Sequence, residues 1–173
     1  AFSVRTPEDF YRIFATEVIK QTSTRAEEWL ANAKRFLTSL VPVISMSSDP
    51  TNPLSLSLKS VTSDYGEEVL ALPEQIAQAK GIHLVICIDE FQQIGEMNDS
   101  IAFQKRLRTA WQHQHSVSYC LYGSKRHLLM NMFGKRSFPF YKFGDMLFLE
   151  RIPLDCWMDY IQQRFAQFNK HID

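Results

Sequence analysis

Two short stretches carry the residue types that do chemistry. Asp89 and Glu90 are adjacent carboxylates that follow directly on the apolar run Leu84-Val85-Ile86-Cys87-Ile88. Gly123-Ser124-Lys125-Arg126-His127 follows the second such run, Val117–Tyr122, and offers a hydroxyl and basic groups in one turn. A carboxylate at a strand end holds Mg²⁺ directly or through water, and a neighbouring carboxylate polarises an attacking water. The plainer alternative is that the acid pair caps the strand and the next turn.

The surrounding pattern says what must position them. Five successive apolar residues, rich in β-branched types and bounded by Gly81 and Gly95, predict a strand buried on both faces. Such strands belong to parallel α/β sheets, whose ligands sit in the crevice beyond the carboxyl ends of the strands. Asp89, Glu90 and Ser124 all stand at those ends.

The chain before the first run is helical and then briefly β. Thr6-Pro7-Glu8-Asp9 opens a helix with an N-cap, a proline at the first position and acids in the first turn. Phe10, Ile13, Phe14 and Val18 form its apolar stripe. Thr24 with Glu27 predicts a capping box for a second helix, with Leu30, Ala33, Phe36, Leu37 and Leu40 inward. Val41–Met46 and the alternating Leu54–Leu58, around the polar loop Ser47–Pro53, predict a small β-hairpin. A helix over Gly66–Lys80, broken or kinked at Pro73 and ended by Gly81, leads into the central strand.

Later elements follow the same logic. A helix from Asp99 to His115 buries Phe103, Leu107, Ala110 and Trp111. After the Ser124 turn come a helix (Leu128–Phe133), an aromatic loop (Gly134–Phe143), a last strand (Met146–Leu149) and a helix (Asp155–Asn169). Trp157, Ile161, Phe165 and Phe168 are expected to face inward. The partition expected is a core over residues 1–150 and the start of a smaller helical part over 151–173.

Composition narrows the function classes. The 173 residues suffice for one domain with a core, and Lys+Arg equals Asp+Glu at 19 each, so no bulk basic field favours nucleic acid. No apolar run approaches the roughly 20 residues that span a bilayer, and the first residues lack a signal-peptide pattern. Cys87, Cys120 and Cys156 have no metal-ligand spacing and predict buried free thiols in a reducing, cytoplasmic setting. His83, His113 and His115 likewise lack metal spacing.

The order apolar strand, Asp-Glu, helix, strand, Gly-Ser-Lys-Arg resembles that of AAA-like P-loop ATPases. Ile88-Asp89-Glu90-Phe91-Gln92 resembles the Walker B strand of the archaeal-type ATPase branch of the STAND NTPases, and Tyr119–Ser124 its sensor-1 strand and turn. Phe138-Pro139-Phe140-Tyr141 and Leu154-Asp155-Cys156-Trp157 resemble the junction into its lid. The resemblance runs from about Thr6 to the end. It implies a three-layer α/β sandwich with a mainly parallel sheet, the hairpin an insertion and the last helix the start of the lid. By it Asp89 would position Mg²⁺, Glu90 would orient the hydrolytic water, and Ser124 would sense the γ-phosphate of ATP; of the basic residues, Lys125 and Arg126, next to Ser124 at a strand end, are the ones expected to contact the nucleotide.

Two departures qualify the resemblance. The family's Walker A loop is missing: Gly134-Lys135-Arg136-Ser137 has Leu129 where the upstream glycine belongs and Arg136 where Ser or Thr should follow Lys. Without that loop no cluster of backbone N–H groups cradles phosphates. Family order puts the first strand and P-loop before Ala1, so the sequence reads as a fragment that binds nucleotide poorly and exposes an apolar edge beside Val117–Tyr122. Another chain, the last strand or upstream residues are expected to fill that edge. The second departure is Tyr141 followed by Lys142 and Phe143, where relatives often carry an arginine after Tyr-Gly; a point charge does not replace a bidentate fork.

Three functions therefore compete: a portion of an ATP-binding and ATP-hydrolysing switch with protein partners or copies of itself, a non-catalytic interaction module on an α/β scaffold, and a nucleic-acid binder using Lys105, Arg106, Arg108, Lys125, Arg126, Lys135 and Arg136. Phe138, Phe140, Tyr141 and Phe143 are expected to wedge their loop against the core, with an adenine grip as the alternative.

Overall fold

A computed structural model describes residues 4–38, 40–46, 54–60, 65–168 and 170. The chain divides into two compact units, Ala1–Phe143 and Gly144–Asp173.

The first unit opens with α1 (Pro7–Gln21), where the Thr6 side chain accepts a hydrogen bond of 3.1 Å from Asp9 N–H. That bond satisfies one of the orphan N–H groups of the first turn. Phe10, Phe14 and Val18 are buried as the stripe predicts, and Tyr11, Ala15 and Ile19 widen it. Helix α2 (Ala26–Phe36) starts two residues after Thr24, and its box closes one residue late. Thr24 N–H and Oγ donate to Glu28 Oε2, at 2.6 and 2.8 Å, rather than to Glu27. Trp29, Asn32 and Ala33 bury its inner face, so the stripe is turned from the expected one, though Leu37 and Leu40 remain core.

The hairpin is present: β1 (Leu40–Met46) pairs antiparallel with β2 (Leu54–Ser60). The connecting loop Ser47–Pro53 and residues Ala1–Ser3 lie outside the described residues. Helix α3 (Gly66–Lys80) carries the buried Pro73 inside it and ends at Gly81, whose φ of 64° is the left-handed cap glycine adopts without a Cβ penalty.

The heart of the unit is a β-α-β turn of chain. Strand β3 (Leu84–Ile88) runs into a 3₁₀ helix (Phe91–Glu96), then α4 (Ser100–Trp111), then β4 (Val117–Leu121). β3 and β4 pair in parallel with Leu84 opposite Val117, Ile86 opposite Tyr119 and Ile88 opposite Leu121. A parallel pair needs a crossover of this length, and α4 provides it. Ile86, Ile88, Tyr119 and Leu121 face the core, where Tyr119 stacks on Trp111 with ring centroids 4.2 Å apart.

The expectation of a strand covered on both faces is corrected here. Val85 is 66% exposed, and Cys87 and Cys120, opposite one another in the register, are also exposed. The apolar run has the composition for two covered faces, but among the described residues helices cover only one. The three cysteines are free, as expected, and exposed rather than buried. Among the described residues neither outer edge of the β3–β4 pair carries another strand.

Helix α5 (Arg126–Gly134) and the aromatic loop close the unit. Phe140 is fully buried, with ring centroids 5.4 Å from Phe91, 5.3 Å from Phe133 and 5.2 Å from Phe143. The loop is thus wedged on the core.

The second unit contains α6 (Leu154–Ala166), entered through Pro153 with Asp155 in its first turn and Arg164 in its last. None of its side chains is buried, so Trp157, Ile161 and Phe165 do not form the inward face expected of them. Met146–Leu149 is not a strand: among the described residues it has no partner, and an extended segment without a ladder gains no backbone pairing.

Candidate active site

Parallel pairing sets the site, because it brings the carboxyl ends of β3 and β4 together. The ladder continues past both strands: Tyr122 N–H donates to Ile88 O at 3.1 Å, and Phe91 N–H donates to Tyr122 O at 3.0 Å. The turn holding Asp89 and Glu90 is thereby fastened to the turn holding Gly123 and Ser124.

Glu90 turns the chain with φ 51° and ψ 38°, a left-handed conformation that costs a non-glycine residue about 1–2 kcal/mol. Strain of this kind collects at functional sites and survives where the surroundings over-determine it. They do so here. Ser124 Oγ donates to Glu90 Oε1 at 3.0 Å and to Oε2 at 3.3 Å, and Gln92 Nε2 donates to Glu90 Oε2. Asp89 Oδ1 accepts the Glu90 N–H at 2.7 Å, which closes the turn from the other side. Asp89 also faces Tyr122, whose phenol it holds above the ordinary value, with burial a lesser cause.

Beside this cluster lies a polar cleft of about 430 Å³ lined by Arg5, Glu90, Gln92, Glu96 and Lys125, among others. Lys125 Nζ pairs with Glu96 at 2.9 Å, both side chains about half exposed, so its ammonium stands at the rim of the cleft. Arg126 opens α5.

Of the residues singled out in the sequence, the structure brings Asp89, Glu90, Ser124 and Lys125 into one neighbourhood. Arg108 does not join them. It is turned inward: its Nη1 donates to Pro139 O and, at 2.9 Å, to Tyr141 O, clasping the aromatic loop. His83 bonds Ser118 Oγ at 2.9 Å. Among the described residues no three His, Cys, Asp or Glu side chains form a group that could hold a metal. Mg²⁺ usually takes only one or two carboxylates and completes its shell with waters and phosphate oxygens, so Asp89 suits a phosphate-borne ion and not an all-protein cage.

Gln92 and Gly123 had no assigned role in the sequence. Gln92 is fully buried, an unusual place for an amide, and a Cβ at Gly123 would lie 2.0 Å from its Oε1. The signal available was a Gln-Gln pair inside the otherwise apolar turn Phe91–Ile94.

Comparison with protein-family models, curated proteins and solved structures found no match to this chain. Among the described residues no helix is long and apolar enough to cross a membrane.

Proposed function

We propose that this chain is the Walker B, sensor-1 and lid-start portion of an ATP-hydrolysing switch of the AAA/STAND type. The observation that carries the reading is the Ser124–Glu90 bond at the adjoining carboxyl ends of two parallel strands, with Asp89 next in sequence. In this reading Asp89 holds Mg²⁺, Glu90 takes the proton of the attacking water, and Ser124 reports on the γ-phosphate. MgATP supplies the phosphorus under attack; Lys125 and Arg126 meet its charge at the rim. A general base is worth typically 10²–10⁴-fold in rate.

The open face of the β3–β4 sheet and its edges, unpaired among the described residues, suit a three-layer sandwich whose first strand and second helical layer come from elsewhere, whether upstream residues or a partner chain. The phosphate cradle belongs to that same part. This chain alone therefore binds MgATP weakly, and tight Mg²⁺-dependent binding by it would contradict the reading.

The decisive experiment uses the natural full-length polypeptide that contains this sequence. Glu90→Gln is expected to lower ATP hydrolysis at least 10²-fold while ATP binding survives. Undiminished hydrolysis in that variant would exclude Glu90 as the base.

A further inference from the structure

Gln92 has no exposed surface and sits in the 3₁₀ helix that follows Glu90. Its Nε2 donates to Glu90 Oε2, while its Oε1 is buried with no hydrogen-bond partner. A methionine or leucine would fill the same space without an orphaned acceptor, so packing alone gives no reason for an amide here. Gly123 supplies the space: any side chain there would run into Gln92 Oε1 and, at 3.3 Å, approach Glu90 Cα.

We propose that Gln92 is a positioning residue for Glu90: its buried amide, seated against Gly123, fixes the direction in which the Glu90 carboxylate points. The inference rests on the reading of Glu90 as the hydrolytic base. Reversing the amide would set Gln92 Oε1 against the carboxylate, two acceptors face to face, so the amide has one orientation available. Ser124 bonds the carboxylate from the β4 turn and Gln92 from the 3₁₀ helix, so two independent elements grip one group. An ionised carboxylate offers about four lone-pair sites. Both grips together leave room for a water, and the water's direction is then set.

Glu90 has three side-chain torsions, and its backbone is already in a sparsely populated region. Without Gln92 the carboxylate retains only Ser124, a hydroxyl that itself rotates. A base displaced by an ångström loses up to about 100-fold in rate without losing substrate affinity.

Two experiments test this. In this chain, ¹⁵N-resolved NMR should show the Gln92 side-chain amide protected from solvent exchange, with the protection lost in Glu90→Ala and kept in Glu96→Ala. In the full-length polypeptide, Gln92→Met, which keeps the volume and removes the donor, should lower kcat for ATP about 10- to 100-fold and leave KM within about twofold. A Gln92 amide that exchanges as fast as an exposed glutamine, or a Gln92→Met enzyme with unchanged kcat beside an inactive Glu90→Gln, would overturn the proposal. If Glu90→Gln hydrolyses ATP undiminished, the reading of Glu90 as the base fails instead, and the NMR arm still decides whether Gln92 holds Glu90.

Discussion

Ser124 donates its hydroxyl to the Glu90 carboxylate, 3.0 Å to Oε1, although the two residues lie 34 positions apart in the chain. The bond spans the carboxyl ends of β3 and β4. It exists because the parallel register sets Ile88 opposite Leu121 and because Phe91 N–H and Tyr122 O extend the ladder one step further. Rate and stability should therefore respond differently to its loss. Ser124→Ala removes one exposed hydrogen bond to a charged group, about 1.5–3 kcal/mol at most, and should leave the chain folded. In the full-length polypeptide it should cost hydrolysis roughly tenfold or more by the loss of a positioned polar group, with Ser124→Thr retaining most of it. Steady-state rates with urea midpoints separate the two effects; equal activity in all three proteins would remove Ser124 from the site.

Gly123→Ala tests the seating of Gln92. The new Cβ would lie 2.0 Å from Gln92 Oε1 and 3.0 Å from its Cδ, and the side chain it meets is buried. Overpacking of this kind typically costs about 1–3 kcal/mol. In a Gln92→Ala background only the 3.3 Å approach to Glu90 Cα remains, so the same substitution should cost distinctly less. Denaturant titration of the four proteins gives the coupling, expected at about 0.5–3 kcal/mol. Additive costs would mean that Gly123 is constrained by something other than Gln92.

The sequence disclosed the carriers of the site and hid its geometry, for physical reasons. Thr6-Pro7 and Gly81 are local signals, and local chemistry places the start of α1 and the end of α3 as read. The apolar runs of β3 and β4 announce strands, and the carboxylates and the serine stand at their ends. Burial on both faces was not legible, because Val85 and Cys87 have the composition for a cover that helices supply only on the opposite side. The strand expected at Met146–Leu149 failed because pairing is a tertiary property. Gln92 was illegible because no periodicity distinguishes an exposed amide from one buried against a carboxylate.

Val85 discriminates between a chain complete in itself and one layer of a larger sandwich. At 66% exposure it contributes little here, and Val85→Lys should change the stability of this chain by no more than about 0.5 kcal/mol. In the full-length polypeptide the proposed architecture covers that face, and an unpaired buried ammonium should destabilise it by several kcal/mol. Urea unfolding of both proteins provides the comparison. An equally harmless lysine in the longer protein would argue against a helical layer over β3 and β4.

The tie between α2 and α3 should make the first unit acid-sensitive. Lys80 Nζ lies 2.5 Å from Glu28 Oε1 and also donates to Thr22 O, while Thr24 bonds Glu28 Oε2 through both N–H and Oγ. The Lys80 ammonium, followed by the Thr24 bonds, lowers the Glu28 carboxyl from its ordinary 4.5 to about 2. A carboxyl depressed in the folded state contributes stability that is fully present above its unfolded value and disappears as pH falls toward the folded one. The advantage of the native chain over Glu28→Gln should thus be constant above about pH 4.5 and vanish by about pH 2. Both partners keep about a third of their surface in water, so 1 M salt should shrink the advantage at neutral pH. Urea midpoints of the two proteins between pH 2 and 7 decide it: a Glu28→Gln gap that persists at pH 2 would mean that Glu28 holds the two helices by shape and hydrogen bonding, with no part played by its charge.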